Sequence, residues 1–207
     1  MISRVLDVVV ITAAAGVIAA AMTRERQGGS IEISKEDWTR LLADAREIGA
    51  ERSQTTLVEF VDYQCPVCVR MEAIVSQLEE SAPGRIRRVV RHFPISSIHS
   101  SAEGASIAAE CAALQGRFPE MHRTLLSNQS LVELAKWDTL ALLAGVRHIG
   151  QFNACLTSEP AKARVRSDVS LGNALGVNGT PTFILDREWL TNVAPPQLRE
   201  RIQRKLR

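Results

Sequence analysis

Hydrophobic and polar positions change period several times along this chain. An uncharged run rich in Val, Ile and Ala extends from Val8 to Thr23, with Arg4 before it and Arg24 and Arg26 behind it. The run approaches the lower length limit for a membrane span and predicts a hydrophobic helix. Gln27–Ser30 reads as a polar linker. Ser34 can cap a helix starting near Lys35, where Glu36 and Asp37 suit the positive end of the helix dipole. Trp38, Leu41, Leu42 and Ala45 share one face of it, so residues 27–53 are read as linker and surface helix.

From Thr55 to Val61 the chain is β-branched, aromatic and short, which predicts a strand. Pro66 suits a first helical turn, because its missing N–H has no partner to lose there. Val67, Met71, Ile74, Val75 and Leu78 keep helical spacing until Pro83–Gly84. Arg85–Phe93 returns to a strand pattern, giving a βαβ unit with parallel strands and a right-handed crossover. Between about 101 and 176 the pattern is wholly helical, punctuated at Gly116, Gly145 and Gly150. Thr182–Asp186 resumes as a strand, Trp189–Val193 is expected to pair with it, and Pro196–Arg207 closes as a helix. The fold class is therefore α/β with an inserted α-helical subdomain, residues 54–207, preceded by the hydrophobic segment of residues 1–26.

The 207 residues are 45% hydrophobic and 23% charged, values of an ordinary globular chain. A net charge of +2, with no long basic run, points away from a nucleic-acid partner. The basic C-terminus (Arg199, Arg201, Arg204, Lys205, Arg207) is the solvated face of a last helix. Three readings of the apolar segment remain open: an uncleaved signal-anchor, a signal peptide cut after Ala19–Ala20–Ala21, and a buried helix of a cytosolic domain. The first is the expectation, since Val5 and Leu6 extend the apolar stripe despite Asp7. Either of the first two sends the remaining chain out of the cytoplasm, where an even number of cysteines, four here, suggests disulfides.

Cys65–Pro66–Val67–Cys68 carries the chemistry. Its first cysteine stands between a strand and a helix, where unpaired N–H groups and the helix dipole favour a thiolate. The second lies one turn further in and is more shielded. Cys65 is thus read as the nucleophile and Cys68 as the resolving thiol, with Cys65 a good leaving group when a substrate thiolate attacks. Glu59, in the middle of the apolar strand, shares a face with Leu57 and Val61. Desolvated there, it would hold its proton more tightly and could relay the proton of Cys68 through water; on an edge strand it would simply face solvent. Pro181, in Gly179–Thr180–Pro181–Thr182–Phe183, stands where a strand begins, a position proline tolerates.

Val58–Glu59–Phe60 with Cys65–Pro66–Val67–Cys68, the helical insertion and Val177–Phe183, taken together and in this order, resemble the DsbA-like oxidoreductases of thioredoxin-like fold. The resemblance covers about residues 54–185. It implies that Pro181 is cis beside the two sulfurs and that Thr180 offers its backbone to an extended substrate peptide. Pro66 and Val67 would also face that substrate, and an acid at the Glu59 position is usual in the family. Some relatives staple the inserted helices with a second disulfide, which suggests a Cys111–Cys155 bond worth roughly 3–4 kcal/mol in the chain-entropy model. Two buried free thiols are the alternative. The sequence departs from the family at Val67, where DsbA itself has a histidine, and at Asp186–Arg187–Glu188–Trp189, which lacks a glycine-rich turn.

The resemblance implies a dithiol oxidase that passes the Cys65–Cys68 disulfide to exported cysteine-containing proteins and is reoxidised by a membrane partner. A reductase or isomerase is the runner-up, because Thr180 before the proline occurs in isomerase relatives. A metal-binding anchored module is the reading from another class. None of His92, His99, His122 and His148 has ligand spacing to the cysteine pair, so no metal site is assigned. Their packing and that of Trp38, Trp137 and Trp189 is the simpler expectation. No cofactor beyond the redox-active disulfide is expected, nor an oligomer: the chain is read as a monomer in the periplasm or on the cell-surface side.

Overall fold

A computed structural model describes residues 31–207. The hydrophobic segment assigned to residues 1–26 lies outside the described residues. Among those that are described, no helix is long and apolar enough to cross a membrane. The chain divides into two compact units, residues 1–32 and 33–207. In the first, only a two-residue strand, β1 (Ile31–Glu32), is described.

In the second unit, α1 (Lys35–Leu42) begins where the sequence places it, with the Ser34 hydroxyl accepting from the Asp37 N–H at 3.0 Å. Two details differ from expectation. The helix stops before Ala45, the chain turning through a positive φ of 53° at Asp44. The following residues form a strand, β2 (Arg46–Gly49), so residues 27–53 are more than linker and surface helix. Leu41 is fully buried as well, making α1 a packed element of the core.

The βαβ unit is present as β3 (Thr55–Val61), α2 (Pro66–Ser81) and β4 (Ile86–His92), with the two strands parallel. Six helices follow: α3 (Ala102–Ala113), α4 (Phe118–Ser127), α5 (Gln129–Glu133), α6 (Trp137–Leu143), α7 (Ile149–Leu156) and α8 (Glu159–Leu175). Gly176 ends them at a φ of 84°, a left-handed cap that suits glycine. The chain then completes the sheet with β5 (Thr182–Leu185) and β6 (Glu188–Leu190) before α9 (Pro195–Lys205). Strand order in this unit is β6-β5-β3-β4-β2, antiparallel except for β3 with β4.

The last hairpin starts earlier than the sequence suggests, because Asp186 and Arg187 alone turn the chain, at φ values of 47° and 75°. Two left-handed residues match the twist of a tight hairpin, the usual place for Asn-Gly. Asp186 replaces the missing glycine with side-chain bonds. Its carboxylate accepts from the Thr56 N–H and from the Thr55 hydroxyl, both at 2.8 Å.

Both faces of the sheet are covered. Leu57, Phe183 and Leu185 pack with Val75 and Leu78 of α2 and Leu198 and Ile202 of α9. Val58, Phe60, Val89 and Ile184 pack on the other side with Leu41 and residues of α8. There α8 comes unusually near: a Cβ at Gly172 would stand 2.7 Å from the Phe93 ring and 3.1 Å from that of Phe60. Cys111 and Cys155 join α3 to α7 in a disulfide with Cα atoms 5.6 Å apart, rather than remaining free thiols.

Two stability outcomes follow from this packing. Gly172→Ala should lower the denaturant midpoint, since overpacking costs about 1–3 kcal/mol and outweighs the better helix propensity of Ala; an unchanged midpoint would mean that the Phe93 ring yields freely. Replacing Cys111 and Cys155 together with Ala should cost about 3–4 kcal/mol in equilibrium unfolding, and a loss below 1 kcal/mol would show that the staple does not restrain the unfolded chain.

Candidate functional site

The site forms where the C-terminal end of β3 turns into α2. Asp62 is fully buried and organises the turn: its carboxylate accepts from the N–H groups of Gln64 and Ile95 and from His99 Nδ1, each at 2.8 Å. The Cys65 N–H donates to the Asp62 carbonyl at 3.1 Å. Cys65 then occupies the N-cap of α2, with Pro66 in the first turn as the sequence predicts. Both Cys65 and Cys68 are free thiols.

From across the sheet, the Thr180–Pro181 peptide is cis. The Thr180 carbonyl accepts from the Cys65 thiol at 3.3 Å. The buried Thr180 hydroxyl has no other partner and is free to favour the thiolate. Thr180 and Pro181 therefore lie against the first sulfur. Val67, at 36% exposure, and Pro66 stand on the open side of the helix tip.

The two sulfurs differ sharply in proton affinity. A hydrogen bond from the Cys68 thiol, aided by the Cys68 and Val67 N–H groups and by Thr180, lowers Cys65 to about 5 against the opposing effect of burial. Cys68 has no exposed surface; burial, its bond to Cys65 and the Glu59 charge push it well up. One sulfur is thus a thiolate at neutral pH and the other holds its proton.

Glu59 is fully buried in the central strand β3, which removes the edge-strand alternative. Its position depends on a residue the sequence reading overlooked. In the parallel register Leu57 pairs with Arg88 and Glu59 with Val90, so Arg88 and Glu59 point to the same face. Arg88 Nε and Nη2 donate to Glu59 Oε2 at 3.0 and 2.5 Å, and Nη2 donates to Glu72 Oε2 at 2.5 Å. Burial raises Glu59 to about 7, opposed by Arg88 and reinforced by Glu72. Burial also opposes the charge on Glu72, but Arg88 and His122 together hold its carboxyl well below the usual range. Glu59 Oε1 is buried without a hydrogen-bond partner. The arginines of β4 were the available signal, although alternation alone would turn them toward solvent.

His92 and His122 are packed side chains, His99 is part-buried against Asp62, and His148 is exposed. His92 donates to Glu110 at 2.8 Å, and His122 lies between Tyr63 and Glu72. Among the described residues no group of three His, Cys, Asp or Glu side chains is arranged to hold a metal ion.

The sequence model described as thioredoxin matches residues 43–204. Among solved structures, a thioredoxin-like oxidoreductase from Silicibacter pomeroyi DSS-3 is 26% identical at a TM-score of 0.70, covering 83% of this chain and 97% of that one. The catalytic domain of Proteus mirabilis ScsC is 20% identical at a TM-score of 0.70, covering 83% and 95%. In sequence, residues matching the Na(+)/H(+) antiporter NhaA 3 of Salinispora tropica are 34% identical over 139 positions, 67% of this chain and 21% of that protein. The chain thus spans about a fifth of the length of the curated relatives it matches. With its free thiol pair at a helix tip beside a cis-prolyl turn, this chain belongs to the thioredoxin family and shares its fold with a thioredoxin-like oxidoreductase and with the ScsC catalytic domain.

Proposed function

We propose that this protein is an extracytoplasmic thiol:disulfide oxidoreductase working chiefly as a dithiol oxidase. The observation that carries the direction is the proton asymmetry of the pair: Cys65 lowered to about 5 beside a Cys68 raised by burial. A stabilised thiolate favours the reduced form of the enzyme, and a stable reduced form makes the disulfide a strong oxidant.

In the cycle, a substrate thiolate attacks Cys65 of the Cys65–Cys68 disulfide. A mixed disulfide forms, and Cys68 leaves as a thiolate that takes a proton from Glu59. A second substrate thiolate then attacks the substrate sulfur of the mixed disulfide and releases Cys65 as a stable thiolate. The substrate loses two electrons, which the enzyme retains as Cys65 thiolate and Cys68 thiol. A membrane redox partner removes them. Thr180 and the cis-prolyl turn support the backbone of an extended client peptide, with Pro66 and Val67 beside it. Monomeric action in the periplasm or on the cell surface, anchored by residues 1–26, completes the reading. A structural neighbour from Salmonella enterica serovar Typhimurium, itself named as a periplasmic thioredoxin-like protein, supports that placement.

Oxidised protein should convert a reduced dithiol peptide stoichiometrically, and Cys65→Ser should abolish the reaction. Equilibration with glutathione should give a potential toward the roughly −120 mV of strong oxidants; a value near −270 mV would reverse the direction to reductase. Stability supplies a second test. Cys65 titrates near 5 in the folded reduced protein and near 9.0 as an ordinary thiol, so the unfolded chain binds the extra proton between these values. The stability of the reduced protein relative to its disulfide form should therefore rise with pH across that window and be lost as pH falls through about 5. A flat difference would contradict the thiolate assignment.

A further inference from the structure

A line of buried polar contacts leads from Glu59 into the inserted helices. Arg88 Nη2 donates to Oε2 of both Glu59 and Glu72, each at 2.5 Å. The same Glu72 oxygen accepts from His122 Nε2 at 3.3 Å, and His122 Nδ1 accepts from the Tyr63 hydroxyl at 3.1 Å. These partners fix the tautomer. An ionised carboxylate only accepts, so Nε2 carries the proton and Nδ1 receives the one from Tyr63. Arg88, His122 and Tyr63 are wholly buried. Burial and the nearby Arg88 charge lower His122 to about 4, so the ring is neutral at pH 7.

We propose that His122 is a positioning residue for proton transfer at Cys68: its Nε2–H secures Glu72 and thereby sets how much of the Arg88 guanidinium remains to hold Glu59 as an anion. The inference rests on the reading that Glu59 gives its proton to Cys68. Three groups besides Cys68 govern that proton: Arg88 from β4, and Glu72 and Glu79 from α2. Arg88 is the cation among them, and one of its nitrogens serves two carboxylates. With the imidazole N–H present, Glu72 Oε2 has two donors and Arg88 is shared. Without it, Glu72 Oε2 keeps Arg88 as its one donor, the Ser76 hydroxyl serving Oε1 at 2.7 Å, and draws the guanidinium away from Glu59. The Glu59 anion loses its counter-charge, so Glu59 holds its proton to higher pH. A histidine on α4, in the inserted subdomain, thus acts on the redox centre without touching either sulfur.

The test is the pH dependence of the rate at which glutathione exchanges with the full-length protein. The native profile should show an inflection near 7. Folded His122→Phe should move it upward by about half a unit or more, a roughly threefold change in the deprotonated fraction. His122→Gln, whose amide N–H can occupy the Nε2 position, should restore it. Glu72→Gln releases Arg88 to Glu59 and should move the inflection downward. An inflection unmoved or lowered in His122→Phe overturns the proposal. If that variant does not fold, an unmoved inflection in Glu72→Gln overturns it instead. Glu59→Gln separates the two layers: it should remove the inflection, and an inflection persisting there defeats the underlying proton-transfer reading itself.

Discussion

A guanidinium with no exposed surface stays charged only where the fold brings carboxylates to it, and Arg88 imposes that condition at the middle of this protein. Glu59 comes from the neighbouring parallel strand and Glu72 from the helix above it. Taking away one partner of a buried pair typically costs about 3–5 kcal/mol, because a charge is left without compensation. The register of β3 on β4 and the seating of α2 over both are consequently tied to one nitrogen. Cys65 and Cys68 ride on that helix and inherit its position.

The same arrangement divides the titratable groups into unlike neighbours. Glu72 keeps its charge, Glu59 is left near neutrality, Cys65 loses its proton readily and Cys68 retains it. Groups of similar intrinsic acidity are pushed apart by burial and by a shared cation, the pattern expected where protons are exchanged during a reaction. A second buried arginine works on the opposite face of the sheet for a mechanical purpose. Arg91 binds Asp168 of α8 at 2.7 Å and the Leu41 carbonyl of α1 at 2.8 Å. It fastens the outer helices to β4.

Much of this was visible in the chain before folding. Cys65–Pro66–Val67–Cys68 announces its turn through Pro66, and Gly179–Thr180–Pro181 marks the facing loop, because each motif is local. The insertion was legible through helical spacing and the break at Gly176. Strand β2 was hidden, since Arg46–Glu47–Ile48–Gly49 has one buried apolar residue and owes its extended form to pairing with β4. The inward direction of Arg88 was equally hidden. Nothing near it in sequence supplies a negative charge on the right face; Glu59 and Glu72 arrive through tertiary structure. The same is true of His122, whose partners Tyr63 and Glu72 lie 59 and 50 residues away.

Gly172 gives the inserted helices a definite mechanical character. With no side chain there, the α8 backbone settles onto the rings of Phe60 and Phe93, while Asp168 on the same helix is anchored to Arg91. Swinging the subdomain outward would uncover aromatic core and strip a buried ion pair of its partner. The missing side chain at one position thus decides how near α8 lies to the sheet, and the ion pair one turn earlier holds it at that distance.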